Sequence, residues 1–148
     1  MKPLDVLRAQ VRGEVAPPPI AGTIGLRLVE VEPGHALFEL EAEERHANPM
    51  GSVHGGVLCD LADAAMGVAY ASLLDEGESF TTLELKINFL RPFWTGRLTA
   101  VGTVPSSGRT VGLAECEIRD EHGRLIAKAS CTCMTLRGGA ADGRALGA

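Results

Sequence analysis

Residues 48–74 read "NPMGSVHGGVLCDLADAAMGVAYASLL". The stretch opens on turn formers, Asn48, Pro49, Gly51, Gly55 and Gly56, and then runs apolar from Val57 to Leu74 with two charges, Asp60 and Asp63. A run apolar on most of its circumference predicts one long buried helix over residues 57–74. A carboxylate on such a helix is costly unless it is paired, hydrogen-bonded or used. Asp60 and Asp63 are therefore candidate functional residues.

Upstream of this helix, Leu4, Leu7 and Val11 predict a short amphipathic helix that ends at Gly13, and "APPPIAG" at 16–22 breaks it. From 25 to 42, two strands flank the turn "EPGH" at 32–35, with Ala36, Phe38, Leu40 and Ala42 alternating with Leu37, Glu39, Glu41 and Glu43. Downstream, Leu83, Leu85, Ile87 and Phe89 alternate with Glu84, Lys86 and Asn88 as the clearest strand in the chain. Three more strands are expected near 97–104, 110–119 and 124–136, separated by "PSSG" and "DEHG" turns that suit hairpins. These connections are too short for parallel crossovers. The expected architecture is α+β, an antiparallel sheet wrapped around one long central helix. Residues 1–19 read as an N-terminal helix and linker, 20–136 as a single domain, and 137–148 as a flexible tail.

At 148 residues, 45% hydrophobic and 22% charged, the composition is that of a globular domain. A chain of this size buries roughly two-thirds of its unfolded surface without staples. The net charge of −5 disfavours nucleic acid as a partner. The N-terminus has no signal-type apolar core, and the longest uncharged run, 64–74, is about half of a membrane span. A cytoplasmic protein without a membrane partner is expected, with Cys59, Cys116, Cys131 and Cys133 as reduced thiols. No histidine stands at zinc-like spacing to Cys131 and Cys133, so neither a metal nor another cofactor is expected.

With this order of elements, "NPMGSVHGGVLCDLAD" and "TLELKINFLRP" resemble the hotdog-fold acyl-CoA thioesterases, in particular the phenylacetyl-CoA thioesterase-like branch. The resemblance runs from about residue 20 to 136 and rests on Asn48, Gly51, His54, Gly55 and Gly56 in the family's order, with Asp63 eight residues after Gly55. It implies a hotdog subunit that forms a homodimer or a dimer-of-dimers homotetramer and hydrolyses acyl-CoA thioesters at sites between subunits. It further implies the Gly55 amide as oxyanion donor, Asn48 as support for the acid or its water, and Thr82, or its neighbour Thr81, as the hydroxyl that orients the water. His54 would orient the loop or the thioester end of the ligand.

The residue chemistry points the same way. Free N–H groups and the positive end of the dipole converge where Gly55 starts the helix, which suits a developing oxyanion. Gly55 and Gly56 lack a Cβ and would let a substrate approach the backbone. Asp63 is either a base that activates water or a nucleophile. At 1.5 Å rise per residue it lies roughly 12 Å along the helix from Gly55, so one subunit does not easily bring both to one carbonyl. Asp60, one turn before Asp63, would raise its pKa. Arg91, Arg97, Arg109 and Lys86 are candidates for the anionic end of coenzyme A. Met50, Leu58, Ala62 and Tyr70 are candidates for the acyl pocket. Two other readings use the same residues: an acyl-thioester hydratase or dehydratase built on His54 and an acid, and a non-catalytic acyl-CoA sensor. Acyl preference, and coenzyme A against acyl carrier protein as thiol carrier, are open at this point.

Overall fold

The structure is a computed structural model and describes residues 1–146. Helix α1 (Pro3–Val11) and the short helix α2 (Pro19–Ile24) precede the hairpin of β1 (Leu26–Glu32) and β2 (His35–Ala42). A 3-10 turn (Glu44–His46) leads to the long helix α3 (Gly55–Ala71). Four strands follow: β3 (Ser79–Phe89), β4 (Gly96–Ser107), β5 (Val111–Arg119) and β6 (Leu125–Leu136), with a closing 3-10 turn at Gly138–Ala141. All pairings are antiparallel, in the order β1-β2-β4-β5-β6-β3. The expected α+β arrangement, a sheet around one helix, is the observed one.

Close approach holds α3 in the sheet. A Cβ on Gly102 of β4 would lie 2.2 Å from the Ala65 carbonyl oxygen, so only glycine lets the helix backbone rest on the strand. On β5, Gly112 makes room for the Tyr70 ring, whose hydroxyl shares a 2.7 Å hydrogen bond with Thr135 Oγ1 in the core. Leu58, Leu61, Ala62, Ala65, Met66, Ala69 and Tyr70 are all buried between helix and sheet. Together with the inward residues of β2, β4, β5 and β6 they form one continuous apolar core.

Several boundaries differ from expectation. Helix α3 starts at Gly55 and ends at Ala71 rather than spanning 57–74, because the Ser72 hydroxyl donates to the Ala69 carbonyl and accepts the Gly34 N–H. The prolines that break α1 also start α2, since proline suits the first helical position; Gly25 ends it at φ +94°. This helix straddles the domain boundary expected at residue 20. Strand β3 starts at Ser79, four residues before Leu83. The segment expected as a flexible tail is tied down in part: Ser79 Oγ donates to the Arg144 carbonyl at 2.8 Å, Arg137 pairs with Glu78, and Leu146 packs on the core. Residues 147–148 of that segment lie outside the described residues.

Candidate active site

The start of α3 is built by its loop. His46 is buried and bridges Glu43 N–H to Nδ1 (3.0 Å) and Nε2 to the Ile24 carbonyl (2.6 Å), while its own carbonyl accepts the His54 N–H. Asn48 Oδ1 accepts the Met50 N–H and its Nδ2 donates to Ser52 Oγ, both at 2.9 Å, around Gly51 at φ +92°. Both polar ends of Asn48 are therefore used inside its own loop, and in the single chain it makes no bond to Asp63.

His54 is the N-cap. Its Nδ1 accepts the Gly56 N–H at 2.9 Å, and its carbonyl accepts the Val57 and Leu58 N–H groups. The Gly55 N–H is left without an acceptor among the described residues, at the positive end of a 17-residue helix. On the side where a Cβ would stand, neither glycine faces open space. A Cβ on Gly55 would lie 2.9 Å from Cζ of Phe89, and one on Gly56 would lie 3.0 Å from His54 Nδ1. Aromatic rings already occupy the space beside both glycines.

Two turns up α3, Asp63 Oδ1 accepts a hydrogen bond from Thr82 Oγ1 of β3 at 3.2 Å. Thr81 alternates to the opposite face of the strand, so Thr82 is the threonine that meets the acid. Desolvation pushes the Asp63 pKa above the usual carboxylate range, the Thr82 hydrogen bond pulls it down, and the Asp60 carboxylate adds to the rise. Asp60 and Asp63 are both exposed to solvent in the single chain. On β6, the buried thiols of Cys131 and Cys133 lie 3.6 Å apart, near enough to Asp63 to feel its charge. All four cysteines are free thiols.

The expected acyl-pocket set does not hold together. Leu58, Ala62 and Tyr70 are 5%, 0% and 1% exposed, so they belong to the core of their own chain. Met50 alone of that set is exposed. Arg97 pairs with Glu41, whereas Arg91, Arg109 and Lys86 make no ion pair among the described residues. Two cavities, of about 140 and 80 Å³, lie on the outer face of the sheet around Glu115 and Lys128 and beneath the N-terminal segment; neither touches Gly55 or Asp63. Among the described residues no three or more His, Cys, Asp and Glu side chains gather as metal ligands, and no helix is long and apolar enough to cross a membrane.

His46, Ser52 and Phe89 were absent from the sequence-based site. His46 stands in "EERHANP", an ordinary loop with no partner in view, because its contacts lie across the fold. Phe89 is legible in the sequence only as an alternating apolar position of a strand.

A six-stranded antiparallel sheet wrapped on one long central helix defines a hotdog-fold protein. The chain belongs to the thioesterase superfamily, whose family model matches residues 50–127. It is 34% identical over 110 residues to the 1,4-dihydroxy-2-naphthoyl-CoA hydrolase of Listeria monocytogenes, covering 74% of this chain and 89% of that one. It is 30% identical over 108 residues to the acyl-coenzyme A thioesterase PaaI of Escherichia coli, covering 72% and 75%. A solved thioesterase family protein from Silicibacter pomeroyi superposes with a TM-score of 0.81 at 30% identity, over 89% of this chain and 99% of that one. Thioester hydrolysis is the activity that this membership supports.

Proposed function

We propose that the protein hydrolyses acyl-CoA thioesters to a free acid and coenzyme A, with the Gly55 amide of one subunit and Asp63 of its neighbour at each site. The observation that carries this reading is the unclaimed Gly55 N–H on the same helix as a threonine-bound carboxylate whose pKa is pushed upward. A thioester carbonyl oxygen accepts the Gly55 N–H. Asp63 then either takes a proton from the attacking water or attacks the carbonyl itself and is released by water. The charge that develops on oxygen is met by the helix start, and the sulfur departs with a proton as coenzyme A.

Two features support a shared site. About 12 Å of helix separates Gly55 from Asp63, so a two-fold partner with its helix antiparallel would supply the missing member. Strand β3 is an edge of the sheet and carries the exposed side chains of Leu83 and Phe89, with Leu90 just beyond it. An edge of this length, 11 residues, suits pairing with a second copy. Pairing of such dimers would give the tetramer, and four free thiols suit a reducing cytoplasm. His54, the residue a hydratase would need, spends Nδ1 on the Gly56 amide.

Thiol release from a panel of short, medium, long and aryl acyl-CoAs tests the reading, with the protein's own cysteines subtracted. The expected result is turnover of at least one acyl class and a loss of roughly 100-fold or more in Asp63→Asn, with fold and oligomeric state retained. Tight binding of an acyl-CoA without hydrolysis would overturn it in favour of a sensor.

A further inference from the structure

We propose that Phe89 is a specificity-determining residue: its ring walls the space beside the Gly55 amide and excludes acyl groups branched at the carbon next to the carbonyl. The inference rests on the thioesterase reading and deepens it. The ring meets Gly55 tip-on, with Cζ 2.9 Å from the place of a Cβ and Cε1 and Cε2 both at 3.3 Å. Gly55 has an ordinary negative φ, so this ring, rather than a backbone constraint, is what a side chain at 55 would meet.

The backbone that carries the ring is fixed. Phe89 is the last residue of β3 and pairs with Ala127 on β6. Immediately after it, the Leu90 and Arg91 N–H groups both donate to the Ile126 carbonyl, at 2.9 and 3.1 Å. Its outer part is nonetheless free, for the residue is 55% exposed in the single chain. An apolar ring at that position leaves the Gly55 N–H unclaimed, and its rim carries the electropositive edge of the aromatic quadrupole, which favours the oxygen as it gains charge.

A carbonyl oxygen on the Gly55 N–H brings the carbonyl carbon and its substituents alongside this rim. A flat or unbranched first carbon passes it, while a methyl branch there meets aromatic carbon. Rejection of one extra methyl by an apolar wall is worth roughly 10- to 200-fold in kcat/KM.

The test compares butyryl-CoA with isobutyryl-CoA, and phenylacetyl-CoA with its α-methyl analogue, on wild type, Phe89→Leu and Phe89→Ala. The expected wild-type preference for the unbranched member is roughly tenfold or more, shrinking stepwise through Phe89→Leu to Phe89→Ala. A merely structural role would lower both members of a pair together and leave the ratio unchanged, and that result overturns the proposal. So does a wild type that hydrolyses branched and unbranched substrates equally. A wild type that hydrolyses none of the four, nor any other acyl-CoA, instead sinks the thioesterase reading itself.

Discussion

Replacing Gly102 by alanine should destabilise the protein out of proportion to the single methyl added. The new Cβ would stand 2.2 Å from the Ala65 carbonyl oxygen, 2.5 Å from its carbon and 3.0 Å from the Met66 nitrogen, all backbone atoms of α3. Ordinary contact requires the helix to retreat by about 1 Å, and no side-chain rotation relieves the clash. That retreat loosens the contacts of Leu58, Leu61, Ala62, Met66 and Ala69 at once. Overpacking costs about 1–3 kcal/mol, and a rigid backbone obstacle puts this site near the upper figure, or roughly 6–12 °C in Tm. Gly22→Ala in α2 is the control: nothing lies within 4 Å of its Cβ, so the same substitution should be neutral or stabilise by up to about 1 kcal/mol. Urea unfolding at fixed protein concentration measures both, since an oligomer's stability depends on concentration. A loss under about 1 kcal/mol in Gly102→Ala would refute the close helix-on-strand seat.

Three further outcomes follow from the site and core. If Asp63 acts as its carboxylate, Thr82→Val removes the hydrogen bond that lowers its pKa, so the acid limb of the kcat/KM profile moves to higher pH; Asp60→Asn removes a charge that raises it and moves the limb lower. Because the folded-state pKa of Asp63 is raised, its stabilising contribution is present below the unfolded pKa and lost as pH rises through the folded one. Asp63→Asn should therefore raise Tm at neutral pH relative to wild type, with the gain shrinking in acid, as thermal melts across that range will record. Tyr70→Phe leaves the buried Thr135 hydroxyl without its 2.7 Å partner and should lose about 1–3 kcal/mol in urea titrations, with Thr135→Val in the same background recovering part of it.

The periodicities that reveal the fold are local ones. The apolar run after Gly56 and the alternation at Ala36–Ala42 each report one element's buried face, and the structure contains both. The alternation at Leu83–Phe89 reports a strand, but one whose Leu83 and Phe89 are more than half exposed at the sheet edge and whose pairing slips at Leu83. What lies across the fold is not written in a period. Strand β3 sits beside β6 at the far edge, away from its successor β4, because the sheet order depends on how the chain crosses the helix. Leu58, Ala62 and Tyr70 looked free to line a pocket because periodicity marks a residue as buried without saying in which core. Phe89 against Gly55 is a contact between residues 34 positions apart in the numbering. Asp63, by contrast, is legible as a carboxylate in an apolar helical run, while Thr82 comes from the family resemblance, and strand alternation separates it from Thr81.

The claim that each site draws on two subunits is most directly tested by complementation between inactive variants. Asp63→Asn removes the acid, and Gly55→Pro removes the N–H at a helix position that tolerates proline, made together with Phe89→Ala so that the new Cβ does not meet the ring. Each variant alone should be nearly inactive in thiol release. Co-expressed with different tags and isolated as a randomly paired mixture, half of the dimers would be mixed and each would hold one intact site, giving about a quarter of the wild-type rate. Mixed dimers with no activity above either parent would contradict the account, because both residues would then have to act within one chain.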